Sequence, residues 1–146
     1  MAHELRLSRR IAASPDEVYD AWTDAQQLQE WMVPFEGCRS VAQLDARVGG
    51  KFHIDMHGTE QVHAHDGEYL RLERPRLIEF TWVSNGTQQQ RSVVTVELAP
   101  AGKGTELTLT HRLLPTEIAV DQHRGGWTAG LDHLVRYFPR ARSAVA

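Results

Sequence analysis

The segment from Thr116 to Phe138 constrains the fold of this chain more than any other feature. Its apolar residues Val120, Trp127, Leu131, Leu134 and Phe138 recur at spacings of three, four and seven, as one face of a long helix requires. A run of strand-like segments that reads as an antiparallel meander precedes it. A lone helix laid across a curved sheet leaves a gap between the layers unless large side chains fill it. Function is expected in that gap.

The 146 residues suit one domain, 1–146, with a single core. Charge excludes one class of partner. Sixteen Lys+Arg against nineteen Asp+Glu give a net charge of −3, and the positive residues are scattered arginines apart from Lys51 and Lys103. No nucleic-acid partner is expected, because that needs a basic face. No run approaches the ~20 apolar residues of a membrane span. The first residues lack the apolar stretch of a signal peptide. Cys38 is the only cysteine, which excludes an internal disulfide and suits a reducing compartment. A cytoplasmic location is the resulting expectation.

Along the chain, Leu5, Leu7 and Ile11 alternate as a first strand. Ser14-Pro15-Asp16-Glu17 then forms a helix start, with Ser14 as cap, Pro15 at the first position and Glu17 completing a capping box. Val18 and Trp22 form that helix's buried pair, and a second short helix spans Ala25–Trp31, before Pro34. Cys38–Leu44 reads as a strand, and Asp45–Gly50 as its turn. Phe52, Ile54 and Met56 alternate with His53, Asp55 and His57. A turn at Gly58-Thr59 follows, after which Val62 and Ala64 continue the apolar face. Asp66-Gly67 reads as a break, and Glu68, Leu70 and Leu72 share the next inward parity. Ile78, Phe80 and Trp82 face Val94, Val96 and Leu98 across a turn at Asn85-Gly86. A three-residue loop ending at Thr87 keeps apolar beside apolar there, with Phe80 opposite Ser92 and Ile78 opposite Val94. Ala101–Gly104 makes the last hairpin, Leu107, Leu109, His111 and Leu113 line the final strand, and Pro139 ends the helix. The order is strand, two helices, six strands, long helix: an α+β pattern.

Ser14 through Thr23, Glu30-Trp31 with Pro34, Val48-Gly49-Gly50-Lys51-Phe52, Gly67-Glu68-Tyr69-Leu70, Phe80-Thr81-Trp82, Thr105-Glu106-Leu107 and Gly126-Trp127 occur in an order that resembles the START-like (SRPBCC, helix-grip) superfamily. Within it the chain is similar to the activator of heat-shock-protein-90 ATPase-like group. The resemblance implies a Bet v-like helix-grip fold, with a curved antiparallel sheet, two short helices after the first strand and the long C-terminal helix across the sheet. It also implies a cavity between sheet and helix, and no cofactor. Its known members include lipid and hormone carriers and aromatase/cyclase-like enzymes. The larger eukaryotic co-chaperones of the group carry an additional N-terminal domain for which this chain has no room.

Three constellations are candidates for function. In the first, Phe52, Ile54, Met56, Trp82, Val94, Leu107 and Leu109 face Trp127, Leu131 and Leu134, with Trp22, Trp31 and Phe35 closing one end. Apolar walls of this kind hold small molecules, and Gly125, Gly126 and Gly130 thin the helix beside Trp127. The same aromatics equally serve as plain core packing. In the second, Glu68, His111 and His123 have inward parity and would fix a ligand's polar end, or, as Glu68 with His111, act as general acid and base in a cyclase- or hydrolase-like enzyme. In the third, His53 pairs with His65 and Asp55 with His63 across a hairpin. That set offers His₂-carboxylate ligation to a metal, or is a solvated convex face rich in histidine. No nucleophile elbow, zincin motif or dinucleotide fingerprint occurs. The leading expectation is therefore a carrier of a small apolar or aromatic molecule. An enzyme, and a chaperone ATPase accessory protein in the stress response, are the alternatives.

Overall fold

The computed structural model describes residues 3–145, with side chains from His3 to Phe138. Strand β1 (Leu5–Ile11) leads into helix α1 (Pro15–Thr23) and helix α2 (Ala25–Trp31). Strands β2 (Arg39–Leu44), β3 (Lys51–His57), β4 (Val62–Glu73), β5 (Leu77–Trp82), β6 (Ser92–Ala101) and β7 (Gly104–Arg112) follow, and helix α3 (Glu117–Val145) ends the chain. All seven strands lie in one antiparallel sheet of order β1-β7-β6-β5-β4-β3-β2. It is the curled α+β helix-grip arrangement expected from the sequence.

Local chemistry accounts for the helix starts. Glu17 N–H donates to Ser14 Oγ at 3.2 Å while Ser14 N–H donates to Glu17 Oε1 at 3.0 Å, a complete capping box with Pro15 behind the cap. Asp24 closes α1 through its backbone and opens α2 through its side chain, which accepts from Gln27 N–H. Helix α3 does not stop at Pro139 but continues to Val145. Proline removes one hydrogen bond, to the carbonyl four residues back, and leaves those on either side in place.

Two registers differ from expectation. At the β5–β6 connection, a nine-residue loop replaces the three-residue turn, so that Trp82 faces Ser92, Phe80 faces Val94 and Ile78 faces Val96. A 3₁₀ turn at Asn85–Thr87 forms within the loop, capped by Ser84, and Gln88 and Gln89 lie at positive φ. The slip is by two residues, so the inward face is kept.

The β3–β4 slip is by one residue, and it matters more. A four-residue loop pairs His57 with Val62, Met56 with His63, Ile54 with His65 and His53 with Asp66. Gly58 N–H donates to Gln61 O at 2.8 Å and closes the turn. Every β4 side chain before the bulge therefore lies on the face opposite to that expected. Val62 is exposed, while His63 and His65 turn inward beside Met56 and Ile54. The physical reason lies further along the strand. This register buries Tyr69 and leaves the carboxylates of Asp66 and Glu68 on the outer face, whereas the expected one would bury a charge. No break occurs at Asp66-Gly67. The irregularity sits between Tyr69 and Arg71, and it returns Leu72 to the inward side opposite Ile78.

Between the layers, Trp22 stacks edge-on with Trp31 at 4.6 Å and lies 6.0 Å from Trp127, which lies 5.3 Å from Trp82. Trp31, Leu107, Leu109, Leu131 and Leu134 are fully buried. The middle of the gap is thus packed with side chains, and an apolar-walled space remains toward one end.

Candidate functional site

Space remains where the first half of α3, the 3₁₀ turn, the start of β4 and the connection after α2 meet. A groove of about 390 Å³, partly open to solvent, lies there. Phe35, Met56, Trp82, His123 and Trp127 line it, as do Met32, Pro34, His63, Ala64, His65, Ser84, Asn85, Gly86, Gln122, Gly126 and Gly130. No Asp, Glu, Lys or Arg is among them. The volume is at the small end of the usual range for ligand pockets.

The other sequence candidates lie elsewhere. Trp22, Trp31, Phe52, Ile54, Leu109, Leu131 and Leu134 belong to the packed core behind the groove. Of the three helix glycines, Gly125 is exposed, while Gly126 and Gly130 line the groove and let the helix pass close to Pro34 and Trp31. Glu68 is paired with Lys51 on the outer face, and its N–H donates to Thr81 Oγ1 at 2.9 Å. His111 is buried on the inner face, so the structure does not bring these two together as an acid–base pair.

His111 instead forms the middle of a polar relay. Trp127 Nε1–H donates to His111 Nδ1 at 3.0 Å. An indole nitrogen only donates, so Nδ1 is bare and the proton resides on Nε2. That proton reaches Ser92 Oγ at 2.8 Å, and the Ser92 hydroxyl donates to Trp82 O at 2.6 Å. Every donor within the relay has an acceptor, which ties α3 to the sheet through Trp127. Burial, with a smaller contribution from nearby His123, pushes the His111 pKa down to about 3. The imidazole is therefore neutral, and its role in the relay is structural.

Of the groove histidines, His123 meets the relay's His111 ring edge to face at 4.9 Å. His65 stacks on Trp82 at 4.8 Å, its Nδ1–H donates to His63 O at 3.0 Å, and burial pushes its pKa down to about 4. His123 Nδ1–H donates to Ala119 O at 2.7 Å, and burial lowers its pKa as well. The buried indole N–H groups of Trp82 and of Trp22 have no hydrogen-bond partner among the described residues. Such orphaned groups are scarce and call for an explanation.

The alternative metal set of His53, Asp55, His63 and His65 is divided by the β3–β4 register. His63 and His65 face inward, while His53 and Asp55 face outward, and among the described residues no cluster of metal-ligating groups forms. His53 has other partners. Its Nδ1 meets Asp66 Oδ1 at 2.6 Å and its Nε2 meets Asp55 Oδ1 at 2.8 Å. Two carboxylates on the two ring nitrogens favour imidazolium, led by the hydrogen bond to Asp66, and the pKa is raised. A two-dimensional NMR titration should show His53 keeping its second proton above pH 6.5, and losing that upward shift in Asp66→Asn. A titration below 6.5 in the unmodified chain would contradict it.

Sequence reasoning found Phe35, Met56, Trp82, His123 and Trp127 but missed His63 and His65 as groove residues. The available signal was Tyr69: placing this aromatic inward, rather than Glu68, turns both histidines inward too.

Comparisons with known proteins place this geometry in context. The family model described as "Activator of Hsp90 ATPase homolog 1-like protein" matches residues 12–139. A solved structure of a protein from Chromobacterium violaceum is similar, with 30% identity, a TM-score of 0.81, and coverage of 92% of this chain and 95% of that one. The AHSA1 protein from Silicibacter pomeroyi gives 28% identity and a TM-score of 0.81 over 94% of this chain and 99% of that one. CalU16 from Micromonospora echinospora gives 29% identity and a TM-score of 0.70 over 93% and 76%. No curated protein matches the chain.

Proposed function

Because the chain belongs to the Activator of Hsp90 ATPase homolog 1-like family, we propose that it acts as a binding protein for a small, largely apolar or aromatic molecule seated in the groove beside the first half of α3. The observation that carries this reading is the wall chemistry: indoles, a phenyl ring and thioethers around polar groups that include no Asp, Glu, Lys or Arg, beside a packed core. No helix among the described residues is long and apolar enough to cross a membrane.

Two neighbouring glycines provide the test. Gly125 has no atom within 4 Å of an added Cβ, and Gly126 has only Pro34 Cβ at 3.5 Å. Gly125→Ala is expected to stabilise the protein by about 0.5–1 kcal/mol through helix propensity and to leave binding unchanged. Gly126→Leu is expected to fill the groove and reduce binding of N-phenyl-1-naphthylamine at least tenfold while the protein remains folded. Probe fluorescence and thermal melts read both effects. Equal binding by a folded Gly126→Leu variant would reject the groove as the site.

The family's description itself supports a second reading, a chaperone partner. Stimulation of the ATPase of a purified Hsp90 homologue is its test, and no effect at saturating concentration would reject it.

A further inference from the structure

His123 presents an unmet hydrogen-bond acceptor to the groove. Ala119 O can only accept, so the bond to it fixes the ring proton on Nδ1 and leaves a lone pair on Nε2. Nε2 has no hydrogen-bond partner among the described residues. An added Cβ on Gly86 would sit 3.0 Å from His123 Cε1 and 3.4 Å from Nε2, so this edge of the ring faces the glycine of the 3₁₀ turn at the groove wall. A side chain at position 86 would crowd that edge. The remaining groove wall holds no Asp, Glu, Lys or Arg, and Trp82, one of its residues, has a buried indole N–H without a partner among the described residues.

Resting on the groove reading above, we infer that His123 is the residue that selects the ligand's polar group, and that the ligand is an uncharged molecule with an apolar or aromatic body and a hydrogen-bond-donating hydroxyl. A hydroxyl can donate to Nε2. An ether of the same shape cannot donate to Nε2. A carboxylate also lacks the proton, and it would lose hydration against walls that provide no cation. Burial keeps His123 neutral at ordinary pH, so its acceptor character persists there.

Three probes with a common ring system test this at pH 7.5 by calorimetry: 2-naphthol, 2-methoxynaphthalene and 2-naphthoate. Naphthol is expected to bind about fivefold or more tightly than the methyl ether, in line with one net hydrogen bond. Naphthoate should bind at least tenfold more weakly than naphthol. In His123→Phe, naphthol and the ether should bind equally, whatever affinity the two then share. As a check without substitution, the ¹⁵N resonance of His123 Nε2 should move upfield with naphthol and stay in place with the ether. Equal binding of naphthol and ether to the unmodified protein, or a preference that survives in His123→Phe, would overturn the assignment and leave the groove reading standing. Failure of all three probes to bind would overturn both.

Discussion

Replacing His111 by leucine is expected to lower the unfolding free energy at pH 8 by about 3 kcal/mol and to remove much of the protein's acid sensitivity between pH 6.5 and pH 4. The first effect follows from the relay. Leucine leaves the Trp127 N–H buried without an acceptor, while the Ser92 hydroxyl keeps the Trp82 carbonyl. The second follows from linkage. An unfolded histidine takes up a proton near pH 6.5, whereas His111 in the fold does so near 3. Below 6.5 the unfolded chain binds the extra proton, so stability falls as the pH is lowered and the loss is complete once the folded-state pKa is passed. For this buried imidazole the total is on the order of 5 kcal/mol. His65 and His123, with lowered values, act in the same sense, whereas His53, with a raised one, opposes them. Urea unfolding across pH 4–8 measures both effects. An unchanged acid slope in His111→Leu would show that the relay histidine is not the group being protonated.

Gly67→Ala is expected to cost about 3 kcal/mol or more. A Cβ at this position would lie 2.1 Å from Thr81 O and 2.2 Å from Phe52 Cζ. Phe52 sits opposite Gly67 in the sheet, and its ring packs against Tyr69, Phe80 and Trp82 at 5.5, 5.4 and 6.1 Å. The missing side chain is what lets the ring lie down on the strand. Adding Phe52→Leu to Gly67→Ala should recover only part of the loss, because the Thr81 carbonyl remains in the way. Because Trp82 forms a wall of the groove, weaker probe binding should accompany the lost stability. Urea unfolding of the single and double variants decides this, and a loss below about 1 kcal/mol in Gly67→Ala would contradict the argument.

Much of the architecture was legible in the sequence because it depends on neighbours along the chain. Ser14 and Glu17 cap a helix through contacts three residues apart, and the spacing of Trp127, Leu131, Leu134 and Phe138 makes one buried stripe whatever lies beneath it. The two-residue alternation of Phe52, Ile54 and Met56 likewise assigns an inward face without reference to any partner strand. Only the tertiary structure decided which residues meet across strands. One more residue in the turn after His57 moved His63 and His65 from the outer face to the groove and separated them from His53 and Asp55. The choice between those registers was made far along the strand, where Tyr69 is buried and Glu68 is not. Packing density had the same character. That Trp22, Trp31 and Leu131 fill the interior while Trp82 and Trp127 border empty space depends on how layers distant in sequence fit together. Periodicity records only the direction a side chain takes from its own backbone, and the room left for a ligand is set by what meets it from the other side.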